Sequence, residues 1–186
     1  MKPLRADARD NRARILTAAE QVFGQSPAAS TEDVAKLAGV GIGTVFRHFP
    51  TKAELLEAVL TLRLEQLRDR ARELADSNNP GMAFFGFFGQ VVSEASSKLA
   101  IADALSEAGG AISAEAKDAG SGLREAFGQL LEQAQRSGAV RADAALPEVY
   151  ALLIGASRGA TAAGLEPAVR DRMLALLYDG LRPGRP

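Results

Sequence analysis

The sequence predicts an all-α protein: a three-helix N-terminal unit followed by a larger helical body. Three observations carry this expectation. Apolar residues recur at three- and four-residue intervals along nearly the whole chain, the period of amphipathic helices. No alternating run of useful strand length interrupts them. Capping pairs, Pro and Gly stand where periodic segments begin and end. With 47% apolar residues among 186, the chain can bury a core without disulfides, and it has no Cys.

The elements follow in order. Ile15, Ala19, Val22 and Phe23 form one apolar stripe, so a first helix is expected over about 9–24, ended by the Ser26-Pro27 stretch. Ser30 and Asp33 have capping-box spacing and open a short second helix, about 31–38, that should bury Val34, Ala35 and Leu37. Gly39 stops it in a left-handed turn. A third helix, about 42–48, directs Val45 and Phe49 to the core and is closed by Pro50. Thr51 and Glu54 form a second capping box before a long fourth helix, roughly 52–75. Its two apolar stripes, Leu55/Val59/Leu62 and Leu56/Leu60/Leu67, suit a helix linking two cores. Pro80 opens the next helix, and further helices are expected near 80–99, 101–109, 113–137, 146–163 and 167–181.

Composition excludes several chemistries. Without Cys there are no thiol nucleophiles or Cys-type zinc sites, and His48 is alone, so no metal centre and no cofactor is expected. His48 lies inside the second and third helices' motif, and no clustered set of His, Asp, Glu and Ser appears outside it, so an enzyme is not expected. The Gly39–Gly43 stretch follows a helix instead of a strand and lacks the third Gly at the required place, so it is not a dinucleotide loop. The charged start is not a signal peptide, no apolar run approaches 18 residues, and a cytoplasmic protein without membrane contact is expected.

Charge is informative once divided. Residues 1–52 hold eight Lys/Arg and five Asp/Glu, a net of +3; the remainder holds 14 basic and 18 acidic residues, a net of −4. A basic head on an acidic body is the electrostatic footprint of nucleic-acid contact. The second and third helices with their Gly39 turn make a helix-turn-helix, with small residues Ala35 and Ala38 where helices cross.

The run from Thr31 through Gly39-Val40-Gly41-Ile42-Gly43-Thr44-Val45-Phe46-Arg47-His48-Phe49-Pro50 to Leu56 resembles the DNA-binding domain of TetR-family transcriptional regulators, over about residues 9–60. The resemblance implies a DNA-binding domain at 1–52, with the fourth helix from 52 linking it to an effector-binding and dimerisation domain at 53–186. Lys52, in the first turn of that helix, joins backbone N–H groups to hold a phosphate. The resemblance places Thr44 and His48 at the DNA backbone or groove edge. Arg47 is the candidate for a bidentate guanine contact. Ser30 and Thr31 are candidates for backbone contacts, and Arg5 and Arg9, ahead of the first helix, for the minor groove. Phe46 stands where the family usually has Tyr, so it packs or lies on sugar. Gly41, Ile42 and Gly43 fill the helix start that faces bases; Ile42 suits a thymine methyl, and DNA shape must supply part of the specificity.

In the body, Phe84, Phe87, Phe88, Phe127 and Leu131 read equally well as core and as the wall of an apolar effector pocket, with Met82 and Ile101 completing it. Leu152, Ala156 and Gly159 form a small-residue face, and Val169, Met173, Leu176 and Leu177 a broad apolar one. Such helices pair with their symmetry mates in this family, implying a homodimer. The implied function is a sequence-specific repressor of a palindromic operator in double-stranded DNA, released by a small, apolar effector. The alternative is a dimeric small-molecule-binding or scaffold protein whose DNA head does not read sequence.

Overall fold

The structure is a computed structural model that describes residues 3–184, with side chains from residue 7 onward except residue 8. The described residues form nine helices and no strand: α1 (Pro3–Gln25), α2 (Thr31–Ala38), α3 (Ile42–His48), α4 (Lys52–Ala75), α5 (Pro80–Ser93), α6 (Ala95–Glu107), α7 (Ala114–Arg136), α8 (Leu146–Ala162) and α9 (Pro167–Leu181). Among these helices none is long and apolar enough to cross a membrane.

Two boundaries depart from expectation. α1 starts at Pro3, not near residue 9, because Pro is tolerated at a helix start and the Ala/Arg-rich stretch behind it has no breaker. The expected helix over 80–99 breaks at Glu94, where no Gly or Pro stands. There the Ser93 hydroxyl donates to the Gln90 carbonyl at 2.9 Å and Gln90 Nε2 donates to Glu94 at 3.1 Å. Side-chain bonds of this kind compete with the helical ladder.

The chain forms two compact units. The first runs up to Arg63 and takes back Ser97–Lys117; the second comprises Leu64–Ser96 and the chain from Asp118. The division therefore falls inside α4 at Arg63, eleven residues beyond the boundary expected at 52. The reason lies in α4 itself: Leu55, Leu56 and Val59 are fully buried and belong to the first unit, so that unit needs the front half of the helix. Ile101 and Leu105 of α6 are buried in the same unit. The Ser113 hydroxyl donates to the Glu57 carboxylate, and Arg63 bonds the Ser97 hydroxyl and pairs with Glu20 at 3.5 Å, which ties the returning segment to α4.

In the first unit α1 packs against α2 and α3. Ser30 caps α2 as its spacing predicts: its hydroxyl accepts from the Asp33 amide at 3.2 Å while Asp33 accepts from the Ser30 amide at 2.9 Å. Gly39 closes α2 at φ 64°, and the Val40 amide reaches back to the Ala35 carbonyl at 3.1 Å. Val34, Ala35 and Ala38 are buried; Leu37, expected with them, is 53% exposed. At about 100° per residue Leu37 falls some 110° from the centre of the buried face, outside the stripe.

The core of the second unit centres on Phe84, Phe87 and Phe88 of α5 and Phe127, Leu130 and Leu131 of α7, with Val149 and Leu153 of α8 and Leu174 of α9. α5 packs against α8 and α9. The Phe127 ring lies 5.5 Å from Phe84 and 6.2 Å from Phe87, within the range of favourable aromatic pairs. Tyr178 of α9 donates to the Phe85 carbonyl at 2.9 Å, and burial pushes its phenol up to about 12.

Candidate nucleic-acid interface

The geometry of α3 follows from which residues its core can use. Val45 is fully buried and Phe49, at its C-terminal cap, nearly so; Ile42, a turn earlier, is half-buried on the same side. With that face fixed, the 100° step places Gly43 and Arg47 at the centre of the opposite face. Both are exposed. Thr44 and His48 form one flank, each half-buried, and Phe46, 44% exposed, forms the other beside Ile42. Of the residues expected from the sequence to face DNA on α3, Gly43, Thr44, Phe46, Arg47 and His48 thus lie on one contiguous surface, and Ile42 lies at its edge, turned toward the core side.

This surface is sparse. A Cβ added at Gly41 or Gly43 would meet nothing within 4 Å, so the start of α3 presents bare backbone. Exposed Leu37 on α2 adds an apolar side chain that the helical pattern had assigned to the core.

Lys52 begins α4, where the Thr51 hydroxyl accepts from the Glu54 amide at 3.1 Å. The first amides of a helix have no intrahelical partner, so the Lys52 and Ala53 amides combine with the Lys52 charge at an anion-seeking terminus. Lys52 Nζ sits 5.5 Å from the centre of the Phe23 ring, which holds the cation against the α1 core residue. Arg12 is placed similarly, 5.3 Å from the Phe49 ring.

Other expected contacts are placed less favourably. The Ser30 hydroxyl is engaged with Asp33, donating to its carboxylate at 2.7 Å. That bond, and then the Ser30 amide, hold the Asp33 carboxyl below its ordinary value. Thr31 is only 8% exposed, because it shares the inward face of α2 with Val34 and Ala38; its side chain is withdrawn from the outer surface. Arg9 is exposed on α1, so it belongs to a helix and not to an arm ahead of one; Arg5 lies in the same helix, and its side chain is outside the described residues.

One contributor carried no sequence signal. Arg14 Nη2 donates to the Ala38 carbonyl at 2.6 Å and the Gly39 carbonyl at 3.1 Å, fastening α1 to the turn between α2 and α3. Its partners are main-chain oxygens, which no residue pattern marks. A Cβ at Gly39 would also stand 3.0 Å from that Nη2, so Gly39 answers both to its positive φ and to this bond.

In the second unit, Phe84, Phe87, Phe88, Phe127 and Leu131 are all buried in mutual contact within the core cluster. Met82, expected to complete a pocket wall, is 71% exposed, and Ile101 belongs to the other unit. Along α8 and α9, Leu152, Val169 and Leu176 are exposed, Ala156, Met173 and Leu177 are half-buried, and Gly159 has open space where a Cβ would be. Ile154 joins them as an exposed apolar residue that the small-residue stripe did not include. Among the described residues no group of three or more His, Cys, Asp or Glu is arranged to hold a metal.

A helix-turn-helix whose second helix turns a basic, uncovered face outward defines a DNA-binding protein of the regulator class. Comparison with known proteins supplies the family. Residues 15–59 match bacterial regulatory proteins of the tetR family, and residues 79–183 match the C-terminal domain of SbtR-like transcriptional regulators. The chain belongs to the TetR family of bacterial transcriptional regulators.

The crystal structure of a TetR transcription regulatory protein from Mycobacterium vanbaalenii is 37% identical, covers 97% of this chain and 100% of its own, and superposes with a TM-score of 0.78. A TetR transcriptional regulator from Streptomyces coelicolor is 30% identical over 94% of this chain and 99% of its own, with a TM-score of 0.75. The HTH-type transcriptional regulator TtgR of Pseudomonas putida is 40% identical over 79 residues, 40% of this chain and 37% of TtgR. The chain spans little more than a third of the length of the curated relatives it matches.

Proposed function

We propose that the chain is a homodimeric repressor, acting in the cytoplasm, that binds a palindromic operator and is released by a small-molecule effector. The observation that carries this reading is the face of α3: one side locked into the core by Val45 and Phe49, the other uncovered around Gly43 and Arg47. Arg47 reads a guanine, Thr44 and His48 meet the backbone at the groove edge, and Ile42 meets a thymine methyl. Phe46 lies on sugar, and Lys52 with its helix terminus holds a phosphate. The exposed apolar residues Leu152, Val169 and Leu176, with Ile154, form the face that a second copy covers, and the dimer sets the spacing of the two heads.

The Phe84–Phe127 cluster supports an apolar effector that opens a packed core, in place of one that fills a standing pocket. Its rings touch one another, so a ligand must separate them and thereby select a minor conformation. A specific observation favours a second reading: bare Gly41 and Gly43 leave few hydrogen-bonding groups for base readout, as a head that grips DNA without reading it would have.

Lys52→Ala tests the phosphate contact. Binding should weaken across all sequences, and the slope of log affinity against log salt should fall by about 1. An unchanged slope removes Lys52 from the interface. Equal affinity for selected operator fragments and random duplex in the unaltered protein would favour the second reading.

A further inference from the structure

A small recess in the second unit has the chemistry of an anion site. Its volume is about 120 Å³, room for several water-sized groups. Val92 of α5, Ala160 of α8 and Leu165 supply apolar wall, Ser96 and Thr161 supply hydroxyls, and Arg170 of α9 is the sole charged residue among its lining. No carboxylate lines it.

The hydrogen-bond inventory points to the same place. Arg170 Nε is fully buried and, among the described residues, has no hydrogen-bond acceptor; its ion pair with the exposed carboxylate of neighbouring Asp171, at 3.7 Å, is too long for a hydrogen bond and leaves that N–H unmet. The Ser157 hydroxyl, one turn before Thr161 on α8, is a second buried polar atom without a partner, though it is not part of the recess lining. A guanidinium N–H taken from water with nothing to receive it is costly, so a recess lined by that group favours a ligand bringing an acceptor and negative charge. Thr161 already donates to the Ser157 carbonyl at 3.0 Å and Ser93, also in the lining, to the Gln90 carbonyl at 2.9 Å, which leaves the Ser96 hydroxyl as the second donor toward such a ligand.

We propose that this recess, walled by Val92, Ser96, Ala160, Leu165 and Arg170, binds a short-chain carboxylate, with the carboxylate on Arg170 Nε and the Ser96 hydroxyl and the aliphatic tail on the apolar wall. The site borders the Phe84–Phe127 core cluster through Val92 and Ala160, and its occupancy does not depend on how the head reads DNA.

The test is titration calorimetry on the full chain with acetate, propionate, butyrate and inorganic phosphate as probes. Affinity should rise about three- to fourfold per added methylene up to butyrate, and butyrate should bind more tightly than phosphate. Arg170→Gln should weaken butyrate at least about tenfold and Ser96→Ala a few-fold, because each removes a donor to the carboxylate. Arg172→Gln removes the same charge from the exposed side of α9 and should leave butyrate binding unchanged; circular dichroism of all three variants should match the unaltered protein. No saturable binding of any carboxylate would overturn the proposal, as would tighter binding of phosphate. Equal losses from Arg170→Gln and Arg172→Gln would reduce the effect to general surface charge and overturn it as well.

Discussion

Phe46 and Phe127 are the same side chain in opposite circumstances. Phe46 sits on the flank of α3 with nearly half its surface in water, whereas Phe127 is fully enclosed by Phe84, Phe87 and Phe88. The glycines divide likewise: Gly41 and Gly43 have nothing near them, but a Cβ at Gly81 would come within 2.6 Å of Ala139 and one at Gly89 within 3.0 Å of the Tyr178 hydroxyl. One region is a filled interior where every volume is assigned. The other is a helix held rigidly from behind and left unfinished in front. Residue type alone does not say which is which; the neighbours do.

The comparison can be broken most sharply at its buried end. Phe127→Ala should cost about 3–5 kcal/mol by chemical denaturation, since it removes a ring with four aromatic neighbours, Phe84, Phe87, Phe88 and Tyr150. Phe46→Ala, the same truncation on the exposed flank, should cost less than about 1 kcal/mol of stability. Similar losses from both would mean that Phe46 is packed, and the contrast would fail.

A smaller effect separates reading from gripping on α3. Arg47→Ala should lose about 1–3 kcal/mol on a selected operator while leaving random duplex nearly unaffected, as competition mobility shifts would record. Equal losses on both would make Arg47 a phosphate contact.

The least effect is expected at the support behind the reading face. Ser30→Ala should lower thermal stability by about 1 kcal/mol at neutral pH through loss of the α2 cap. The pH dependence has a definite sign. Asp33 is held below its ordinary value in the folded chain, so its bond to Ser30 contributes above the unfolded value and is lost as pH falls through the folded one. The gap between Ser30→Ala and the unaltered protein should therefore narrow below about pH 4, and a constant gap would remove the Asp33 carboxylate from the cap.

Much of the first unit was legible because local rules agree there. Ser30 with Asp33 starts α2, Gly39 ends it, Pro50 ends α3, and Thr51 with Glu54 starts α4, all within two residues of the observed ends. Periodicity failed where one apolar residue lay just outside the stripe, as with Leu37, or where a helix breaks through side-chain bonds instead of Gly or Pro, as at Glu94. The candidate interface on α3 was readable because its inner face is strongly marked by Val45 and Phe49. Arg14 was not, since it answers to the carbonyls of residues 24 and 25 positions away. The boundary within α4 was equally hidden: a helix apolar on two sides announces two partners but does not say where one ends.

The open ground at the start of α3 has a consequence for how this protein changes over generations. At Gly41 and Gly43 new side chains encounter no wall, and the folded head does not depend on what replaces hydrogen there. Mutations at these two positions can try serine, lysine or asparagine against DNA while the three-helix core stays whole. Most proteins must trade stability for a new contact, but here the trial is nearly neutral for folding. Side chains can therefore accumulate at these two positions without meeting a wall in the folded head.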